Sequence, residues 1–250
     1  AVVLGASRGD NLDALTEDRP KLMLPVAGEP LLLRMVKAFR KQGVQDITVV
    51  AGYKAEAIDV SGVRVVVNPD YGNSGELASL ACALDRFGDD TVVSYGDLLF
   101  RRYILRDLLD TDADLTVVVD STQTTPEQPC DLAWADLPDE RGIFGRDVSL
   151  RRVAHRTAAK DQPAPNGRWI GMLRVRGAGR EQLMTVLEQL KAQPDFAKLG
   201  LPELLNALIA AGHRIKVLYV HGHWLDVNDH ASLQQASDFA HADSAFGSRK

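Results

Sequence analysis

The chain has 250 residues, 45% of them apolar and 25% charged, a balance that excludes disordered and low-complexity classes. Twenty-nine lysines and arginines against 34 aspartates and glutamates leave a net charge of −5, and no basic run tracks a phosphate backbone, so nucleic acid is excluded as a partner. Apolar stretches stay below the roughly 18 residues that span a bilayer, and the first residues lack the basic start and small-residue cleavage site of a signal peptide. Cys82 and Cys130 are expected as reduced thiols, which makes a soluble, cytoplasmic protein with no membrane partner the expectation.

Along the first half, short β-branched runs alternate with segments of helical period. Residues 1–4 read as a buried strand. Residues 30–42 read as a helix with Leu31, Leu32, Met35, Val36 and Phe39 on one face and Pro30 near its first turn. Strands follow at 47–51 and 64–67, a helix at 75–87 that turns Leu77, Leu80, Ala81 and Leu84 inward, a strand at 91–94, a helix at 101–109 and a strand at 115–119. From 121 to 167 the pattern is broken by Pro126, Pro129, Pro138, Pro163 and Pro165, with 131–135 and 148–153 as strands, and this stretch reads as an insertion or lid. Regular elements return as a strand at 169–175, helices at 181–190 and 202–211, a strand at 215–220 and a helix at 228–240. The expectation is a single α/β domain over residues 1–250, a Rossmann-like three-layer sandwich around a mixed, mostly parallel sheet. Ala1 lies within a strand-like run and is not Met, which is compatible with a longer, bifunctional chain.

Three segments carry chemistry. The loop after the first strand runs Leu4-Gly5-Ala6-Ser7-Arg8-Gly9 and continues to Arg19-Pro20-Lys21. Small residues behind a buried parallel strand let backbone N–H groups approach a phosphate, and Arg8, Arg19 and Lys21 bring positive charge to the same mouth. The spacing matches neither of the common glycine-rich nucleotide fingerprints. Ser94-Tyr95-Gly96-Asp97 puts a carboxylate at the carboxyl edge of the sheet, and Trp224-Leu225-Asp226-Val227-Asn228 puts another at a strand-to-helix junction. Alone, either aspartate reads as a helix cap; brought together across a cleft, the two would repel unless a divalent cation such as Mg²⁺ lay between them. The third segment, Asn68 to Glu76 with Ser79 a turn later, either offers donors and acceptors to the edge of a flat base or forms a simple capping turn, and spacing does not decide. No Gly-x-Ser-x-Gly is present, and neither cysteine has the neighbours of a nucleophile.

These segments, joined by Leu24-Pro25-Val26-Ala27-Gly28-Glu29-Pro30-Leu31-Leu32, Val49-Val50-Ala51-Gly52-Tyr53 and Trp169-Ile170-Gly171, resemble the sugar-phosphate-type nucleotidyltransferases over nearly the whole chain. Within that group the chain is most similar to the phosphonate and phosphocholine cytidylyltransferases of the phosphoenolpyruvate mutase-associated type. The resemblance implies a nucleotide-diphospho-sugar transferase-like fold. The activity it implies is Mg²⁺-dependent transfer of CMP from CTP to a small phosphonate, of the 2-aminoethylphosphonate or 2-hydroxyethylphosphonate type, with release of pyrophosphate.

Phosphocholine, or a sugar or polyol phosphate, is the alternative acceptor, and a non-catalytic nucleotide-binding regulatory domain the remaining alternative. The resemblance further implies Lys21 and Arg8 as catalytic cations and Asp97 and Asp226 as Mg²⁺ ligands. Nucleotide contacts fall to Leu4, Ala6, Ser7, Arg8, Gly9, Asn68, Ser74, Gly75, Glu76, Ser79 and Gly96. A fused or associated phosphoenolpyruvate mutase and an oligomeric state are compatible with it. Arg168 stands where a carboxylate is frequent in that branch. For the acceptor, Trp134, Trp169 and Trp224 are candidates to box a quaternary ammonium, and Asp131, Asp136 or Glu140 to meet a primary amine, although each fits a core aromatic or a solvated acid as well.

Overall fold

The computed structural model describes residues 1–125, 129–140, 147–155 and 163–247, except for the side chains of Asp10 and of residues 242–247. In chain order its elements begin with β1 (Val2–Gly5), β2 (Pro25–Val26), β3 (Glu29–Pro30), α1 (Leu31–Lys41), β4 (Thr48–Ala51), β5 (Arg64–Val67) and α2 (Glu76–Ala81). They continue with β6 (Asp90–Tyr95), β7 (Leu98–Phe100), α3 (Arg102–Leu109), β8 (Leu115–Asp120), β9 (Asp131–Ala135), β10 (Leu150–His155) and β11 (Gly167–Arg176). The last are α4 (Ala178–Lys191), α5 (Leu201–Ala210), β12 (Lys216–Val220), β13 (Trp224–Asp226) and α6 (His230–Gly247).

The main sheet runs β5-β4-β1-β6-β11-β8-β12. All of these strands point one way except β11, which is antiparallel to both of its neighbours. This is the mixed, mostly parallel sheet expected from the alternating pattern. Parallel strands flanked on both sides bury both faces, which is why β1 is an unbroken apolar run before its glycine. Successive residues of β1 nevertheless serve different layers. Val2 and Leu4 pack with α2, α4 and α5 through Leu77, Leu80, Leu183, Leu187 and Leu205, whereas Val3 packs with α1 and α3 through Met35, Phe39, Ile104 and Leu108. The result is helices, sheet, helices.

β9 and β10 pair with each other, and the hairpin joins the main sheet where Gly167 and Arg168, opening β11, pair with Ala133 and Leu132. The stretch read as an insertion or lid includes 126–128, 141–146 and 156–162, which lie outside the described residues. Both cysteines are free thiols, and no helix among the described residues is long and apolar enough to cross a membrane.

Of the element boundaries that differ from the expectation, two have a plain local reason. The helix read at 75–87 stops at Ala81, because the Cys82 and Ala83 amides bond three residues back, to Ser79 and Leu80, and tighten the turn. That rotation buries Ala83 and Phe87 in place of Ala81 and Leu84. The final helix begins at His230 rather than 228, because the Asp229 carboxylate accepts the Ser232 amide at 2.7 Å and caps it. Asn228 is thereby left outside the helix.

One buried cation locks the layers together. Arg174, on β11, donates to both oxygens of Asp90 at 2.9 and 2.6 Å, and also to the Leu108 and Thr111 carbonyls that end α3, at 3.1 and 2.7 Å. Replacing Arg174 by Met is expected to lower unfolding free energy by about 3 kcal/mol, since those acceptors lose their donor, and denaturant melts of the two proteins measure it.

Candidate active site

Asp97 follows β6 in a turn that only a residue without a side chain at position 96 permits. The Gly96 amide donates to the Leu4 carbonyl at 2.7 Å, and a Cβ at Gly96 would lie 2.5 Å from a Leu22 methyl and 2.8 Å from that carbonyl. The chain then enters β7, which pairs antiparallel with β13 so that Leu98 faces Asp226, and the Val227 amide donates to the Asp97 carbonyl at 2.9 Å. Two carboxylates 129 positions apart (226 − 97) are zipped to one edge of the sheet by this ribbon.

Between them stands Lys21, on a short turn started by Pro20, with only 8% of its surface exposed. Its ammonium donates to Asp97 Oδ2 at 2.8 Å and to Asn228 Oδ1 at 2.5 Å. The Asn228 amide group in turn donates to Asp226 Oδ2 at 2.6 Å, and Arg168 Nη2 reaches the same oxygen at 2.5 Å. Asp97, Lys21, Asn228, Asp226 and Arg168 therefore form a continuous polar chain in which two positive charges balance two negative ones. Asp97 Oδ1 is buried with no hydrogen-bond partner. A buried carboxylate oxygen left over in this way suits a cation. Among the described residues no group of three or more His, Cys, Asp or Glu forms a self-sufficient metal site, so an ion shared by these two aspartates would take its remaining ligands from elsewhere.

The polar chain floors a cleft of about 440 Å³. Of the residues expected to contact nucleotide or metal, Leu4, Ala6, Ser7, Lys21, Ser74, Gly75, Glu76, Ser79, Gly96, Asp97 and Asp226 line it. Arg8, Gly9 and Asn68 do not. Arg8 is exposed, with its guanidinium 5.4 Å from the Tyr53 ring centroid, and Gly9, at φ +84°, turns the loop over Leu12 and Lys21. Asn68 is a strut: its amide group donates to the Ser74 and Ser79 hydroxyls at 2.9 and 3.0 Å and fixes the loop that does face the cleft. Arg19, also expected at the mouth, folds onto exposed Asp18.

Tyr95 and Trp169, with ring centroids 5.5 Å apart, also line the cleft. Asp131 accepts from the Tyr95 hydroxyl at 3.4 Å, and its other oxygen lies 3.1 Å from His155 Nδ1. Burial and the neighbouring Asp131 push the Tyr95 hydroxyl well above its usual range, so it stays a proton donor. Glu76 opens onto the cleft, yet lies deep enough in it for desolvation to raise its carboxyl, with Asp131, Glu203 and Asp97 adding to the rise. Of the acids considered for an amine, Asp131 alone lines the cleft; Asp136 accepts the Ser149 amide. The three tryptophans do not converge: Trp134 donates to the Pro163 carbonyl outside the cleft, and Trp224 lies beneath Arg168.

The sequence reading missed Asn228, Tyr71, Tyr95, His155 and Glu203 as cleft residues. Asn228, two positions after Asp226, and Tyr95, two before Asp97, lay inside segments already singled out. His155 and Glu203 carried no signal of their own.

Residues 1–163 match the MobA-like NTP transferase domain. The chain belongs to that family. It is 28% identical over 249 residues to CMP-5′-(3-aminopropyl)phosphonate synthase of Streptomyces rubellomurinus, covering 94% of this chain and 38% of the relative. It is 24% identical to a bifunctional sugar-1-phosphate nucleotidylyltransferase/acetyltransferase of Sulfurisphaera tokodaii, covering 91% and 52%. Against CTP:phosphoglutamine cytidylyltransferase of Campylobacter jejuni it is 21% identical, covering 94% and 97%. The chain thus spans about half or less of the first two relatives. The fold is shared with CTP:phosphocholine cytidylyltransferase from Streptococcus pneumoniae, at a TM-score of 0.74, 18% identity and coverage of 96% and 97%. The resemblance to nucleotidyltransferases is borne out at the level of family and fold.

Because the fold disfavours the charged form of Glu76, the stability it retains below the ordinary carboxyl range, near 4.5, is lost as pH rises through the raised value. Glu76→Gln is therefore expected to melt with the parent protein near pH 4 and above it at pH 8, as thermal melts at the two pH values will show.

Proposed function

We propose that this domain transfers CMP from CTP to a small phosphonate of the 2-aminoethylphosphonate or 2-hydroxyethylphosphonate type and releases pyrophosphate. The observation that carries the reading is the meeting of Asp97, Lys21 and Asp226 at one sheet edge, beneath the small-residue loop after β1. Similarity to CMP-5′-(3-aminopropyl)phosphonate synthase supports the acceptor class, and Asp131, which lines the cleft beside the Tyr95 hydroxyl, favours an acceptor that carries an amine.

The attacking atom is an oxygen of the acceptor's phosphonate, which is already an anion and needs no general base. It bonds to the α-phosphorus of CTP as the bond to the bridging oxygen of pyrophosphate breaks, and the electron pair leaves with pyrophosphate. Repulsion between the two anionic partners is the obstacle, so the protein's contribution is alignment and fixed positive charge. Lys21, pinned by Asp97 and Asn228, holds its ammonium where charge on the α-phosphate grows. Asp97 and Asp226 would hold Mg²⁺, which supplies further positive charge to the triphosphate when bound. Ser74, Gly75 and Ser79, braced by Asn68, offer hydroxyl and backbone groups to the base and ribose.

Pyrophosphate release should be measured with each of the four nucleoside triphosphates against 2-aminoethylphosphonate, 2-hydroxyethylphosphonate, phosphocholine and sugar phosphates. CTP with a phosphonate is expected to give the highest kcat/KM; preference for a sugar phosphate or for another nucleotide overturns the reading. Lys21→Ala and Asp97→Asn are each expected to reduce turnover on the order of 10²-fold with circular dichroism unchanged, and near-parental turnover in either would remove these residues from the mechanism.

A further inference from the structure

We propose that Arg168 is the residue that grips the anionic phosphorus group of the acceptor, a specificity-determining contact on the acceptor side of Asp226. The inference rests on the phosphoryl-transfer reading above but concerns a residue to which that reading gives no role.

Position supports it first. Arg168 pairs through its backbone with Asp120 on one side and Leu132 on the other, so its Cα is fixed within the sheet. Its side chain is 17% exposed, its guanidinium carbon lies 4.8 Å from the Trp224 ring centroid, and the residue lines the cleft. Trp224 is itself anchored, its indole donating to buried Asp120 at 2.7 Å. In the polar chain Lys21 stands on one side of Asp226 and Arg168 on the other, next to the Trp169 and Ile170 wall. Arg168 is thus the cation of the acceptor half.

Donor arithmetic supports it second. A guanidinium has five N–H groups. Arg168 uses one on Asp226 at 2.5 Å and one on Gln123 at 3.3 Å, and Nε is buried without a hydrogen-bond partner. Three N–H groups (5 − 2) are unused; with Nε buried, the two on the terminal nitrogens are the ones a ligand can meet, and a planar fork suits a tetrahedral oxyanion. Asp226 divides its Oδ2 between Arg168 and Asn228, so the carboxylate keeps a partner when the guanidinium turns part of its edge to an incoming anion.

The competing role is structural, with Arg168 serving only to hold Asp226. The two roles differ in which ligand suffers when the guanidinium is removed. Arg168→Gln and Arg168→Lys should be titrated calorimetrically with 2-aminoethylphosphonate, with inorganic phosphate and with CTP, and the Mg²⁺ dependence of CTP binding measured in parallel. The expected result is a loss of affinity of about tenfold or more for both phosphorus anions in Arg168→Gln, partly restored in Arg168→Lys. CTP affinity and its Mg²⁺ requirement should stay within about twofold of the parent, as one charge-assisted contact to the acceptor does not enter them. Unchanged anion affinity overturns the proposal, as does a loss that falls on CTP or Mg²⁺ instead, and so does a parent protein that binds neither anion. A parent protein that binds phosphonate through Arg168 yet never turns it over would sink the proposed acceptor class alone.

Discussion

The site depends on a three-residue ribbon. β7 and β13 are too short to stand as strands by themselves, yet their pairing, continued by the bond from Val227 to Asp97, forces two like-charged carboxylates to share one edge of the sheet. Their repulsion is contained by interleaved donors: Lys21 between Asp97 and Asn228, and Asn228 with Arg168 on Asp226. Neither half of this arrangement is stable alone. Without the ribbon the carboxylates separate, and without the donors the ribbon holds two charges that oppose its closure.

Backbone pairing also determines which groups can move. Asp97 is fixed by its turn, and its Oδ1 has no partner, whereas Lys21 and Arg168 reach the site on long side chains from elements anchored elsewhere. The acids are thus placed by the backbone and the cations by the bonds their side chains make.

The layout of the fold was legible because runs such as Val2 to Leu4 and Val49 to Ala51 are buried on both faces and so are continuously apolar. Asp97 was legible as a cleft residue because the carboxyl end of a central parallel strand is where open α/β sheets form their crevice. The ribbon was not, since three residues carry no measurable periodicity. Arg8 and Asn68 show a different limit: sequence places a side chain near a loop but does not say whether it faces the cleft, a neighbouring ring or the loop's own hydroxyls. Asn228 was assigned to a helix because Asp226 resembled the cap; the true cap, Asp229, is the residue that releases it.

Among the described residues the β9–β10 hairpin pairs with β11 at Gly167 and Arg168, while β6 and β8 pair along the rest of that strand. Asp131 and His155 ride on this hairpin, whereas Leu4, Gly96 and Ser74 line the cleft from β1, the turn after β6 and the loop before α2. The hairpin is held from behind as well: the Val153 amide and carbonyl bond the Asn206 side chain of α5 at 2.9 and 2.7 Å, and the Leu150 amide bonds the Ile215 carbonyl at 2.8 Å. A change in the packing of α5 is therefore transmitted through Asn206 to Asp131 and His155 at the cleft wall.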